Sequence, residues 1–435
     1  MIPPIPPLAI DDASPPLGIS PTDVSQFIRL DQCQRYLRLR LHERSAGQRF
    51  LRDYDVAPQS IPPILTRSGA AFEEAVEAGI AAAFPFVRFT AADRKEAGRD
   101  DDNAAVVQAA RALRPGEVRV LGQPRLEARL GHWLIRGDVD LIRLERTLDG
   151  SLAILIADIK SSTSAKVEHR LQVAFYHEML AAILADAGIA HDPIALAILY
   201  RGPAASDDPT AVPGDDLHLA QQRLDAQRLL GASTGLLETI ADEAAYIGAV
   251  HDLVIGEHST ARRVLGTDFE RIPFHLTYKC DGCLYNEFCM KQSAESDNLS
   301  LLPHLTEQDK SVLLREGITT VTELATLKDL RRKGTISIDG VVQEQTDLVP
   351  APGQDARSRH LAATWPVGPR LDELVHRARR YRRWKGDAIE AIPWIPGKGY
   401  GSLPWSGPDQ NPNLVRIFID VQHDYLNDRL YMLGA

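Results

Sequence analysis

The sequence predicts an α/β protein whose central mixed sheet is flanked by helices, with a further helical region behind it. Three observations carry this. Helical apolar spacing between residues 22 and 83 gives way, from Glu117 to Lys160, to short alternating or apolar runs of strand type. An amphipathic stretch of about 164–187 is followed by one more apolar strand, Ile194 to Tyr200. Beyond Cys289 the strand signal fades into short helices and proline-rich chain.

The 435 residues are 44% hydrophobic and 25% charged, ordinary values for a globular protein with a buried core, and the length suits two or three domains. A formal net charge of −10 excludes a uniformly basic surface. Nucleic-acid binding would therefore rest on local patches, or on metal ions that offset carboxylates. There is no run of about 18 apolar residues, so no membrane-spanning helix is predicted. Met1 to Pro7 has neither the basic nor the apolar stretch of a signal peptide. Four cysteines are too few for a disulfide-built secreted fold, and a cytoplasmic setting is expected.

Seven prolines within the first 21 residues mark 1–19 as an extended, disordered lead-in. Ser20-Pro21-Thr22-Asp23 then opens a helix: serine caps, proline suits the first turn, and the acid favours the positive end. This helix should run over about 22–44 and carry Cys33, and a second covers about 68–83. Residues 92–105 are charge-rich and read as a solvated loop before a short helix. Strands are expected at 118–121, 125–130, 133–144 and 152–160. Asp149-Gly150 is a hairpin signal that makes the last two antiparallel neighbours. The helix of about 164–187, the strand 194–200, a loop at 203–216 and helical periodicity over 217–262 complete a unit of 20–295.

Residues 296–390 read as helical. Two short helices flank Glu316 to Val321, with Gly317 ending one and a threonine capping the next. A basic helix follows at about 371–385. Between 370 and 385, seven Arg and Lys against Asp372 and Glu373 leave +5, with Tyr381 and Trp384 interleaved. A phosphate track and a solvated interdomain helix fit this pattern equally. Five prolines within 391–413 mark a linker, and Gly397 to Ser402 lacks P-loop spacing. Residues 415–419 and 429–433 form one hairpin, which is not stable alone. Residues 391–435 are therefore expected to be a linker and the first hairpin of an incomplete domain.

The chemistry concentrates on two neighbouring strands, Gly137-Asp138-Val139-Asp140 and Asp158-Ile159-Lys160. Across the Asp149-Gly150 hairpin, Asp140 and Asp158 can approach closely, and two carboxylates at short range repel unless a cation lies between them. Oxygen ligands favour Mg²⁺ or Mn²⁺. Strand alternation puts Asp158 and Lys160 on one face, so an ammonium stands beside that site. A plain ion pair at a strand end is the competing reading, of about equal weight. On the next helix Gln172 and Tyr176, one turn apart, share a face; an amphipathic core helix would show the same spacing.

Gly69-x-x-x-Glu73, Gly137-x-x-Asp140, Asp158-x-Lys160 and Gln172-x-x-x-Tyr176, in this order, resemble the RecB-type nucleases of the PD-(D/E)XK superfamily. The resemblance implies a restriction-endonuclease-like core. It implies metal ligands at Glu73 (or its neighbour Glu74), Asp140 and Asp158, a catalytic Lys160, and Gln172 and Tyr176 lining a DNA-strand groove.

Cys280-Asp281-Gly282-Cys283 and Cys289 cluster within ten residues, and Cys33 lies far upstream. Four thiolates suit a structural zinc or an iron–sulfur cluster, though zinc sites more often pair two C-x₂-C hairpins. This one-plus-three pattern is similar to that of the iron–sulfur branch of RecB-type nucleases, which includes the AddB subunit and the CRISPR adaptation nuclease. It implies a [4Fe–4S] cluster on Cys33, Cys280, Cys283 and Cys289 that staples the two ends of the domain together. Residues beyond 295 are similar to a RecB-like subfamily with a helix-hairpin-helix-like segment and a ribonuclease-H-like domain. Gln422 there replaces an expected acid, so no activity is assigned to it.

The expectation is a Mg²⁺- or Mn²⁺-dependent DNA nuclease, an exonuclease on single strands or duplex ends, with a helicase or another repair or defence protein as partner. Two other classes compete: a catalytically silent DNA-binding scaffold, and a zinc-stapled structural subunit.

Overall fold

The structure, a computed structural model, describes residues 5–8, 15–46, 63–202, 213–338, 341–384, 420–424 and 429–434. Strand β1 (Leu17–Ile19) leads into α1 (Pro21–Arg29), where the Ser20 hydroxyl and the Asp23 carboxylate each accept the other's main-chain N–H. The single helix expected over 22–44 is broken. Asp31 and Gln32 adopt φ of 53° and 57°, which no α-helix accommodates, and α2 (Gln34–Ala46) starts afresh behind Cys33. Of the lead-in, the described residues 5–8 pack against the fold. Ile5 is buried, Leu8 N–H donates to the carbonyl of Leu265, and the Arg38 guanidinium donates to the carbonyl of Pro6.

Next come α3 (Pro63–Ala83), β2 (Phe86–Arg88), α4 (Ala91–Glu96) and α5 (Asn103–Ala112). The stretch 92–105 is largely exposed, as expected, but a short helix opens it and Arg94 and Asp102 are buried and paired at 2.7 Å, so opposite charges anchor it to the fold. Strands β3 (Val118–Gly122), β4 (Arg125–Leu130), β5 (Trp133–Asp138), β6 (Leu141–Arg146) and β7 (Leu152–Lys160) precede α6 (Val167–Asp186) and β8 (Ile194–Tyr200). Helix α7 (Pro213–Leu230), strand β9 (Leu236–Thr239) and helix α8 (Glu243–Val250) follow. β9 falls inside the stretch read as wholly helical; four residues are too few for periodicity to report a strand.

The six-stranded mixed sheet has the order β2-β3-β6-β7-β8-β9, with β6 antiparallel and β8 parallel to β7. The expected β6–β7 hairpin forms, with Gly150 at φ 91° in its turn. The strand expected over 133–144 is instead two strands in two sheets. Gln123 turns the facing chain at φ 55°, Val139 N–H donates to the carbonyl of Pro124, and Gln123 N–H donates to that of Asp140. β4 and β5 thereby leave the main sheet and join β1 in a second, three-stranded one. Asp140 sits at this corner.

Strand β7 is covered on both faces. Leu155, Ala157 and Ile159 pack with Phe72, Val76 and Ile80 of α3 and with Ala226 and Leu230 of α7. Ile154 and Ile156 belong to the larger core with Val173, Phe175 and Leu180 of α6. Alternation therefore sends Asp158 and Lys160 to the α6 side.

After α9 (Thr260–Gly266) and α10 (Asn286–Glu295), a separate apolar cluster forms from α11 (Glu307–Arg315), α12 (Val321–Ala325), α13 (Asp355–Ala362) and α14 (Leu371–Trp384). The two short helices stand where the sequence puts them, with Gly317 at φ 73° and Thr320 capping α12. A long hairpin of β10 (Lys328–Ile338) and β11 (Val341–Pro350) was not anticipated. Arg370, Arg377 and Arg379 of the basic stretch donate to the carbonyls of His304, Pro303 and Lys328, so these cations stitch the unit internally. Asp420–Asp424 pairs antiparallel with Arg429–Gly434. The linker expected over 391–413 and the strand expected at 415–419 lie outside the described residues. Among the described residues no helix is long and apolar enough to cross a membrane.

Candidate active site

The β6–β7 register, Leu141 opposite Ala157, carries Asp140 opposite Asp158 at the end of the ladder. Asp140 accepts the Ile159 main-chain N–H at 2.7 Å and the Gln123 side-chain amide at 3.2 Å. Lys160 Nζ lies 2.7 Å from Asp158 and 4.0 Å from Asp140. Glu73 is half-buried on α3 while Glu74 is exposed, so the helix turns Glu73, not its neighbour, toward the strands. Burial raises the Glu73 carboxyl above its usual range, repulsion from Asp140 adds to this, and Lys160 opposes it.

Asp158 is fully buried, and burial holds its carboxyl well above the usual carboxylate range; Lys160 pulls it down and Asp140 pushes it up. Lys160 loses to burial and gains more from Asp158 and Asp140, so its ammonium is held protonated. The Asp158–Lys160 contact is an ion pair on Asp158 Oδ2, while Asp158 Oδ1 faces α6.

Gln172 and Tyr176 are drawn in with the carboxylates, but beneath them and not over an open groove. Tyr176 is 1% exposed. Its hydroxyl donates to the carbonyl of Asp138 at 2.7 Å and accepts from the Gln172 amide at 3.0 Å, and that amide also reaches Asp158 Oδ1 at 3.2 Å. The reason is packing: α6 crosses the β5 end so closely that a Cβ on Gly137 would stand 2.9 Å from the Tyr176 ring.

Reasoning from sequence missed Gln123, which braces Asp140 from the corner, and His169. The latter lies one turn before Gln172, where burial and then Lys160 push the imidazole down to about 3. A polar residue before a proline signals the corner only once the facing strand is known.

The four cysteines lie within electrostatic reach of one another, where the chain around residue 282 is tied to the N-terminal helices. Gln26 and Arg29 both donate to the carbonyl of Gly282, at 3.0 and 2.8 Å, Lys279 pairs with Asp31, and the Tyr285 hydroxyl bonds Glu43. Burial pushes the Cys283 and Cys289 thiols up to about 12, and the neighbouring cysteines add to it. Cys33 is also raised, first by burial and then by Cys280. Among the described residues, no three His, Cys, Asp or Glu side chains are already drawn together in the arrangement of a metal site. At the carboxylates the Lys160 ammonium stands between Asp140 and Asp158 as their counter-charge.

The site is thus a mixed sheet flanked by helices, with two aspartates and a lysine at the end of its central hairpin. The chain belongs to the PD-(D/E)XK nuclease superfamily, whose sequence profile matches residues 49–290. Nucleases of this superfamily act on DNA and generally use divalent metal ions. No curated protein matches the chain. A solved structure titled "Crystal structure of SSO0001" is 13% identical, with 64% of this chain and 86% of that chain covered and a TM-score of 0.21.

Proposed function

We propose that the chain is a metal-dependent deoxyribonuclease of the RecB type, an exonuclease on single strands or duplex ends. Glu73, Asp140 and Asp158 are its metal ligands and Lys160 its catalytic cation. The observation that carries this is the fully buried Asp158 beside Asp140, with Lys160 Nζ, 2.7 Å from Asp158, as the counter-charge. Three carboxylates against one lysine leave negative charge that suits a hard divalent cation, Mg²⁺ or Mn²⁺. Such an ion would supply an activated water and stabilise charge on the phosphoryl group.

The side chains perform the rest. Lys160, kept protonated by its carboxylates, offers donors to a phosphoryl oxygen or the attacking water. Gln172 and Tyr176 are positioning residues: they fix Asp158 Oδ1 and the Asp138 main chain, so the ligand carboxylates keep their orientation.

The same reading assigns Cys33, Cys280, Cys283 and Cys289 to a [4Fe–4S] cluster that staples residues 278–292 to the N-terminal helices. It is supported by the one-plus-three spacing of these cysteines and by Gln26 and Arg29, whose side chains tie the Cys280–Cys283 turn to the first helix. It also takes residues 296–390 as a separate helical unit with its own core.

End-labelled single- and double-stranded DNA, incubated with the purified chain, tests the activity. Shortening from an end should occur with Mg²⁺ or Mn²⁺ and cease with chelator. Cleavage that persists in chelator, or none with either metal, would overturn the reading. Metal analysis after anaerobic purification should find iron; zinc would replace the cluster with a structural ion.

A further inference from the structure

Beside the carboxylates the fold leaves a cleft of about 410 Å³. Glu73 and Asp140 line it together with Arg88, Arg94 and Asp138. Sites that hold a small organic molecule measure roughly 300–1,000 Å³, so one nucleotide unit is within its capacity.

The charges in this cleft are sorted. Arg94 is buried in the wall and paired with Asp102 at 2.7 Å, and Asp138 is paired with Arg125 at 2.7 and 2.9 Å. Glu73 and Asp140 gather negative charge at the site already described. Arg88 differs from all of these. It ends the edge strand β2, its side chain is 50% exposed, and its one ion pair among the described residues runs from Nη1 to Glu77 at 3.0 Å. A guanidinium has five N–H donors, so Glu77 leaves most of the fork for an anion. Glu77 itself is buried one helical turn beyond Glu73, and so anchors the arginine beside the carboxylates.

We propose that this cleft is the subsite for the nucleotide adjoining the scissile phosphate in a single nucleic-acid strand, and that Arg88 binds that nucleotide's phosphate. The inference rests on the nuclease reading. Successive phosphates in a strand each need a counter-charge. One phosphate comes to lie against the carboxylate–lysine site, and the exposed cation that lines the same cleft is Arg88.

The test uses the full chain and a fluorescent single-stranded oligonucleotide in Mg²⁺ or Mn²⁺. An uncharged methylphosphonate replaces the phosphate on either side of the cleaved bond, one position at a time. At one of the two positions it should slow the wild type about tenfold, and it should cost nothing further in Arg88→Ala, because the lost charge has no partner left. Additive losses at both positions overturn the proposal.

Binding of the unmodified strand in Ca²⁺ gives the second readout. Arg88→Ala should weaken it about tenfold and lower the salt slope by about 0.7, the share of one contact on a single strand. Unchanged affinity and slope also overturn the proposal. A wild type that binds through Arg88 yet cleaves nothing keeps the subsite and sinks the nuclease reading alone. Because Arg88→Ala leaves Glu77 buried without its partner, the double variant Glu77→Gln/Arg88→Ala repeats both readouts should the single variant fail to fold.

Discussion

The carboxylate of Asp140 accepts the main-chain N–H of Ile159 at 2.7 Å, so a side chain takes over where the β6–β7 ladder ends. Ile159 lies between Asp158 and Lys160. The bond therefore ties one acid to the strand that carries the other acid and the lysine.

Asp158→Asn should reduce metal-dependent cleavage by at least about a hundredfold while leaving the metal-free protein no less stable than the wild type. The amide keeps the side-chain shape and removes a charge that burial and Asp140 both disfavour. Parallel turnover measurements and melting curves in chelator check this. A large drop in melting temperature would mean that the Asp158–Lys160 ion pair holds the fold together.

Tyr176→Phe removes the hydroxyl that joins Gln172 to the Asp138 carbonyl, leaving both short of a partner in a buried place. A loss of about 1–3 kcal/mol in unfolding free energy is expected. With Gln172 loosened from Asp158, the Mn²⁺ titration midpoint of cleavage should rise by roughly ten- to a hundredfold. If turnover fell with the midpoint unchanged, the hydroxyl would act on substrate instead.

Gly137→Ala would place a methyl 2.9 Å from Tyr176 Cε1 and 3.0 Å from Pro21 Cδ. Overpacking of this kind costs about 1–3 kcal/mol, and it should appear as a lower denaturant midpoint with an unchanged slope. A midpoint equal to the wild type's would show that α1 and α6 can yield there at no cost.

Cys283→Ser should yield protein without iron, without broad visible absorbance and with faster proteolysis between α9 and α10, since the energy of a metal staple is folding energy. Iron at wild-type stoichiometry in the variant would remove Cys283 from the ligand set.

His169 makes stability depend on pH. Burial, then Lys160, pushes its folded pKa down to about 3, so the folded state refuses a proton that the unfolded chain accepts near 6.5. Its contribution is neutral above about pH 6.5 and increasingly destabilising as pH falls toward 3. His169→Gln should therefore gain on the wild type in melting temperature between pH 7.5 and pH 5. A constant difference across that range would place the imidazole in contact with solvent.

The α/β class, the Asp149-Gly150 hairpin, the strand Ile194–Tyr200 and the pairing of Asp158 with Lys160 were all legible in the sequence. Each depends on local periodicity or on a turn whose residues are adjacent in the chain, and local rules reach that far. Tertiary structure alone decided the break at Asp31-Gln32 that puts Cys33 ahead of α2, and the corner at Gln123 and Asp140 that divides one expected strand between two sheets. It also decided that Glu73 and not Glu74 faces the carboxylates, and that Gln172 and Tyr176 lie beneath them. These outcomes turn on which distant segments pack together: α3 against one face of β7, α6 against the other, and a facing strand that must bend where Pro124 has no N–H to give. A one-dimensional pattern records which residues want burial, and only the packed chain determines what each of them is buried against.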